Sequence, residues 1–357
     1  MKSLLFKEDF ALSITKEYFG TTKENEIVDA YTITNSKGNY VKLISYGATI
    51  VEIVVPDRNG VKRDVCLGYD TLEEYVKNDG YLGAFIGRVG NRTNKGEFTI
   101  DGITYHVDKN EKDRCNLHGG YHGFDSKVLT AKVVSEDSVS FTVVSPDGEC
   151  GFPGEMTATV TYTFDEEDCL TLSYEAVADK KTPINLTNHA YFDLSGGEEK
   201  DMLNQVLQIN ADFITAVDAA CIPTGEFMDV TDTPFDFRRA KRIGAEINDE
   251  HEQIKMGQGY DHNFVLRQGE AYGAKAWCET TGIEMTMITD LPGVQFYAGN
   301  FIGEVMGKKG KMHCKRKGFC LETQYYPDSL NQPAFESPVK EAFEKFESVT
   351  KYQFGIK

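Results

Sequence analysis

Five separated clusters put acid, base and amide groups onto an otherwise strand-patterned chain: Asn91-Arg92, Leu117-His118-Gly119-Gly120, Asn188-His189, Gly259-Tyr260-Asp261-His262 and Leu321-Glu322-Thr323-Gln324. Two of them hold the best proton-transfer groups. His189 carries an imidazole whose ordinary pKa of about 6.5 lets it act as acid or base near neutrality. Glu322 follows the apolar approach Gly318-Phe319-Cys320-Leu321, and an inward carboxylate is either paired or functional. Taken singly, His189 reads more simply as an imidazole bonded inside a turn, and Glu322 as half of an ion pair. Their joint occurrence with the amide and guanidinium groups carries the weight.

His118 lies among glycines that permit close approach or left-handed backbone. Its spacing from His122 invites a metal reading, but the paired glycines disfavour the helix that would place both rings on one face, and no third ligand completes a zinc pattern. No metal is expected. Arg92 can fork onto a carboxylate, a phosphate or sugar hydroxyls, and Asn91 can donate and accept. There is no Walker loop, no G-x-G-x-x-G after a strand and no G-x-S-x-G elbow, and Gly87-Arg88-Val89-Gly90 is not a phosphate cradle. A proton-transfer enzyme without a cofactor, or a non-catalytic ligand module, remains.

These groups need rigid elements to converge them. Ala158, Val160, Tyr162 and Phe164 alternate up to a polar break at 165–168, and Leu170, Leu172, Tyr174 and Ala176 alternate beyond it, which predicts a hairpin. A second is predicted at 98–105 around Asp101-Gly102, whose residues tolerate the positive φ of a two-residue turn. The stretches 139–143, 206–209 and 284–288 continue the period-2 pattern. A short helix is expected over 71–77, capped by Thr71 with Glu74 three residues on. Near the C-terminus Val339, Ala342, Phe343 and Phe346 sit at helical spacing while 349–354 alternates, so local pattern leaves that segment open. With no repeat and no linker, residues 1–357 are expected to form one all-β domain of packed antiparallel sheets.

Composition narrows the partners. A net charge of -18 disfavours a nucleic-acid surface, which needs clustered Lys and Arg. The basic run Lys308, Lys309, Lys311, Lys315, Arg316 and Lys317 reads as a solvated loop, with a local phosphate site as its alternative. No apolar run approaches the roughly 20 residues of a membrane helix, and Met1–Asp9 turns charged too soon for a leader's apolar region. Eight scattered cysteines without C-x-x-C pairs are expected to be free thiols. Together these features predict a cytoplasmic protein.

Six motifs in order then resemble the aldose 1-epimerase, or galactose mutarotase, family along nearly the whole chain: Gly87–Arg92, Leu117–Gly120 with Gly123-Phe124-Asp125, Asn188–Phe192, Gly259–Phe264, Pro292–Tyr297 with Gly299-Asn300-Phe301, and Gly318–Gln324. The resemblance implies a supersandwich of large antiparallel sheets with few short helices, no cofactor, and a monomer or homodimer acting on a small sugar. It implies interconversion of the α and β anomers of a free aldose such as D-galactose or D-glucose. Glu322 matches the general base and His189 the general acid; Asn91, Arg92, His118, Asp261 and Gln295 match the residues that bond sugar hydroxyls. An acid and a base that exchange roles should have pKa values straddling neutrality. Hydrogen bonds of about 0.5–1.5 kcal/mol each to a well-hydrated sugar imply a loose, millimolar-type site. The chain departs from the family's habit at Asp193, often Asn, and near Leu129, often Trp, which bears on pocket shape and substrate preference. A sugar-binding or regulatory relative without catalysis, and an epimerase of a phosphorylated or oligomeric sugar, are the alternatives.

Overall fold

The computed structural model describes residues 12–77 and 80–357. The stretch 1–9 considered above as a possible leader lies outside the described residues. Strands dominate, in three large antiparallel sheets and several two-stranded ones among the described residues. Their longest sheet has nine strands, in the order Thr130–Val133, Ser138–Ser145, Met156–Phe164, Cys169–Ala178, Phe346–Ile356, Ile283–Thr289, Ala274–Trp277, Val206–Ile209 and Lys241–Arg242. A five-stranded sheet runs Pro223–Asp229, Ala211–Val217, Asp261–Leu266, Gly293–Tyr297 and Cys320–Gln324. The third, also of five strands, is N-terminal, from Ser13–Thr21 to Lys62–Asp64. This is the large-sheet, all-β architecture read from the sequence.

Alternation sets the layers. Along Met156–Phe164 every second side chain is buried, and the partner strand Cys169–Ala178 returns in register through a turn in which the Asp165 carboxylate accepts the backbone N–H groups of Glu167 and Cys169. Asp101 and Gly102 take the positive φ values, 50° and 80°, that the tight 98–105 hairpin requires. The helix Leu72–Lys77 begins at Thr71, which exchanges hydrogen bonds with Glu74 as a capping box. The open C-terminal segment resolves as strand: Phe346–Ile356 pairs with both Cys169–Ala178 and Ile283–Thr289, because Phe346, Ser348, Thr350, Tyr352 and Phe354 then face inward. Phe343 stays exposed at a left-handed turn.

One apolar cluster joins the sheets, from Tyr31 and Ile33 through Tyr162 and Leu172 to Phe264, Phe296 and Phe354. Leu129 packs within it. The Tyr352 hydroxyl donates to the Leu321 carbonyl at 2.8 Å, and Thr350 and Thr323 share a hydroxyl bond, so the central strand of the long sheet pins the strand that bears Glu322.

Candidate active site

Three strands build the floor. Asn263, Gln295 and Glu322 are register partners across Asp261–Leu266, Gly293–Tyr297 and Cys320–Gln324; Asp261, Tyr297 and Cys320 form the neighbouring row. Because side chains alternate, these residues and Gln324 share one face, while Phe264, Phe296 and Leu321 enter the core from the other. His262 also points away, with its ring against Phe235 at 4.6 Å between centroids.

A short strand, Thr187–Asn188, pairs with Phe85–Ile86 and delivers His189 over this floor. Its Nε2 lies 3.7 Å from a Glu322 carboxylate oxygen, both side chains being almost fully buried. The imidazole is stacked between Tyr191, at 4.9 Å, and Tyr81, at 5.9 Å, and its Nδ1 meets the Cys320 thiol at 3.4 Å. Asn188 does not face the site: its amide braces Gly83 and the Tyr162 hydroxyl.

The third wall comes from the pairing of Arg92–Thr93 with Asn116–Leu117. Asn91 and His118 both sit in left-handed backbone, the His118 N–H donates to the Asn91 carbonyl, and the Asn91 N–H donates to His118 Nδ1 at 3.1 Å. This fixes a tautomer: with Nδ1 accepting, the proton of the neutral ring is on Nε2. Gly119, at φ 93°, lets this turn approach Gly87, whose carbonyl oxygen would stand 2.1 Å from any Cβ placed there. His118, His189 and Glu322 bring possible ligand atoms within 4.8 Å of one another, a spacing a metal ion could use. The His118 tautomer argues against that use, since its only outward nitrogen carries a proton instead of a lone pair.

All seven sequence candidates therefore meet in one cluster, with differences in detail. Arg92 does not stand free: its guanidinium is forked onto Glu111 at 2.7 and 2.9 Å. Burial would raise the Glu111 carboxyl, but Arg92 outweighs it and Glu111 lies at about 2. Gln295 donates to Asp261 at 2.7 Å, and Gln324 bridges Gln295 at 3.3 Å and Asn263 at 3.1 Å. Sequence reasoning gave no site role to Glu111, Cys320, Asn263 and Gln324. The last three lie two residues from a predicted site residue, so the period-2 pattern contained them; Glu111 had no local signal. Arg88 proves structural, buried and bonded to Ser145, Pro146 and Pro153.

Burial sets the electrostatics. It pushes Glu322 well above the ordinary carboxyl range, with the Asp261 charge adding and the Arg92 charge opposing. Asp261 is raised for the same first reason, against Arg92 and Gln295. Burial lowers His189 to about 4, and lowers His118 well below its usual value with help from His189 and Arg92. Glu322 Oε2 has no hydrogen-bond partner. Burial moves the two groups in opposite directions, Glu322 up and His189 down, and so favours the neutral form of each. Such a pair titrates as a unit.

The basic run does not converge here. Lys308 pairs with Asp64 at 2.7 Å, Lys309 with Glu52 at 2.6 Å and Lys317 with Asp193 at 3.1 Å, on the far side of the Tyr191–Asp193 segment. Asp193 is accordingly a structural anion whose partners lie outside the sugar-site cluster.

Comparisons with known proteins point to one family. The family model described as aldose 1-epimerase matches residues 29–353. Galactose mutarotase of Rattus norvegicus is 40% identical over 349 residues, covering 97% of this chain and 99% of its own. Aldose 1-epimerase of Escherichia coli (strain K12) is 36% identical over 330 residues, 90% of this chain and 94% of its own. Among solved structures, galactose 1-epimerase from Lactobacillus acidophilus NCFM superposes with a TM-score of 0.86 at 28% identity, covering 97% of this chain and 99% of that one.

Proposed function

The chain belongs to the aldose 1-epimerase family, isomerases acting on carbohydrates, and from that premise we propose that it interconverts the anomers of free D-galactose and D-glucose with Glu322 as base and His189 as acid. The observation that carries this assignment is the buried 3.7 Å contact between the two, next to a carboxylate oxygen without a partner.

Chemistry follows from a single proton held by the pair. A bound cyclic sugar donates its C1 hydroxyl to Glu322, and a hydrogen bond to the charged carboxylate favours ionisation. The proton of the resting pair then resides on His189. Glu322 takes the C1 hydroxyl proton as a C1=O bond forms, the bond from C1 to the ring oxygen breaks, and His189 protonates that oxygen. The pair is now the neutral one that burial prefers, opposite an open-chain aldehyde. Rotation about C1–C2 presents the other carbonyl face, and the reverse transfers close the ring with the pair restored. Each positioned group contributes about 10²–10⁴-fold, which suffices for a reaction already facile in water. His118 Nε2–H, Asn91, Arg92, Asp261 and Gln295 orient the ring through its hydroxyls.

A free rather than phosphorylated sugar is favoured because Arg92 is the one cation against this floor among the described residues and Glu111 already occupies its fork. Two-dimensional exchange NMR of equilibrated D-galactose, D-glucose and glucose 6-phosphate tests the reading: cross-peaks between anomers are to grow with enzyme for the free hexoses, and growth for the phosphate ester alone would refute it. Eight free thiols support a cytoplasmic location. The continuous core supports a single domain. A monomer or homodimer fits a site assembled entirely from one chain.

A further inference from the structure

The basic run that the catalytic site does not use lines a recess of its own. A small recess of about 40 Å³ is bounded by Asp64, Cys66, Asp193, the Gly196-Gly197 turn, Lys308, Lys309, Lys311, His313 and Lys317. Four lysines face two aspartates, so the wall is net positive in a protein whose overall charge is -18. The inner pair of lysines is saturated: Lys308 bonds Asp64 and the Val51 carbonyl, and Lys317 bonds Asp193 and the Glu199 carbonyl. In the outer pair, Lys311 donates to the Gly196 carbonyl and has no carboxylate partner among the described residues, while the half-exposed Lys309 pairs with Glu52 at 2.6 Å and lies 3.8 Å from Asp64.

Two features make this a shaped site. His313 is 2% exposed, yet its Nδ1 has no hydrogen-bond partner, an arrangement costly to leave unmade. Gly197 adopts φ +87°, and a Cβ there would stand 2.6 Å from the Lys311 ammonium, so the turn keeps that ammonium's place clear. Burial, followed by the charges of Lys308 and Lys317, lowers His313 to about 4, which leaves a neutral ring able to donate one hydrogen bond.

We propose that this recess binds a small phosphate-type oxyanion, held by the ammonium groups of Lys309 and Lys311 and by the His313 ring, at a site separate from the sugar site. A lysine ammonium is a compact donor to phosphate oxygens, and the two inner ion pairs form a net-neutral floor that does not repel the anion. Inorganic phosphate and a phosphomonoester share this chemistry.

Calorimetric titration of the full-length protein at low ionic strength with inorganic phosphate, and separately with glycerol 3-phosphate, tests the site and distinguishes the two sources. Saturable one-to-one binding of one or both is expected, unchanged by saturating D-galactose and weakened about tenfold or more in Lys309→Gln/Lys311→Gln. That variant is expected to keep wild-type mutarotation, since neither lysine approaches the sugar floor. A readout independent of any substitution is the ¹⁵N signal of the His313 ring in the wild-type protein, which should shift with phosphate occupancy. Absence of saturation into the tens of millimolar, equal affinity in the double variant, or phosphate shifts at His118 and His189 with His313 unmoved would each overturn the proposal.

Discussion

Asp193→Asn should cost this protein several kcal/mol although Asp193 touches no substrate. Phe192 and Phe319 exchange both backbone hydrogen bonds, at 2.7 and 3.0 Å, and so join the segment that follows His189 to the segment that precedes Glu322. Just beyond that bridge the Asp193 carboxylate receives Lys317 at 3.1 Å, Ser195 through backbone and hydroxyl, Gln205 and the Gly197 N–H. The Lys317 and Asp193 side chains are only 7% and 3% exposed, so little solvent screening applies. Removing one partner of a buried pair strands the other charge, at about 3–5 kcal/mol. For 357 residues, an unfolding entropy of about 2.1 cal/mol/K per residue gives about 0.75 kcal/mol/K, so Tm should fall by about 4–7 °C. Thermal melts at one scan rate, read beside Lys317→Met and the double variant, form the assay. Because the double variant removes both charges, it should recover at least about 2 kcal/mol relative to the summed single losses. A melt of Asp193→Asn within about 1 °C of wild type, or strictly additive losses, would refute the reasoning.

Three further outcomes follow from the site. Burial raises Glu322 in the folded protein, so the fold binds that proton more tightly than the unfolded chain does, and stability is lost as pH rises from the ordinary carboxyl range through the raised value. Glu322→Gln should therefore melt like wild type near about pH 4 and increasingly above it as pH rises; a gap that shrinks with pH would contradict the direction. His118→Gln loses a fixed donor worth about 1–3 kcal/mol, so kcat/KM for galactose should drop roughly ten- to hundredfold in steady-state assays. Glu111→Gln frees the Arg92 fork, and should raise KM by about tenfold while leaving kcat nearly intact; an unchanged KM would show that the fork's orientation is irrelevant to the sugar.

Much of this site was legible because the strands write it at period 2. Once Glu322 is placed inward, Cys320 and Gln324 must share its face, and Asp261 carries Asn263 in the same way. The hairpin at 156–178 is equally local, a matter of alternation and one Asp-rich turn. Pairings that cross the chain were not legible. Lys308 meets Asp64 and Lys317 meets Asp193 because distant loops fold onto each other, so a run that reads locally as a solvated patch is half buried charge pairs. Arg92 likewise read as an open fork because Glu111, on another turn, leaves no mark in its neighbourhood. The C-terminal ambiguity ended only when two partner strands offered Phe346–Ile356 a ladder on each side.

The account stands on one proton shared by Glu322 and His189, and polarimetric relaxation of freshly dissolved α-D-galactose and α-D-glucose tests it most directly. Wild-type protein should speed relaxation far beyond buffer. Glu322→Gln and His189→Asn should each lose about 10²–10⁴-fold, and the double variant little more than the worse single, because either loss breaks the same transfer. Wild-type relaxation no faster than buffer, or a single variant retaining near-wild-type rates, would contradict it.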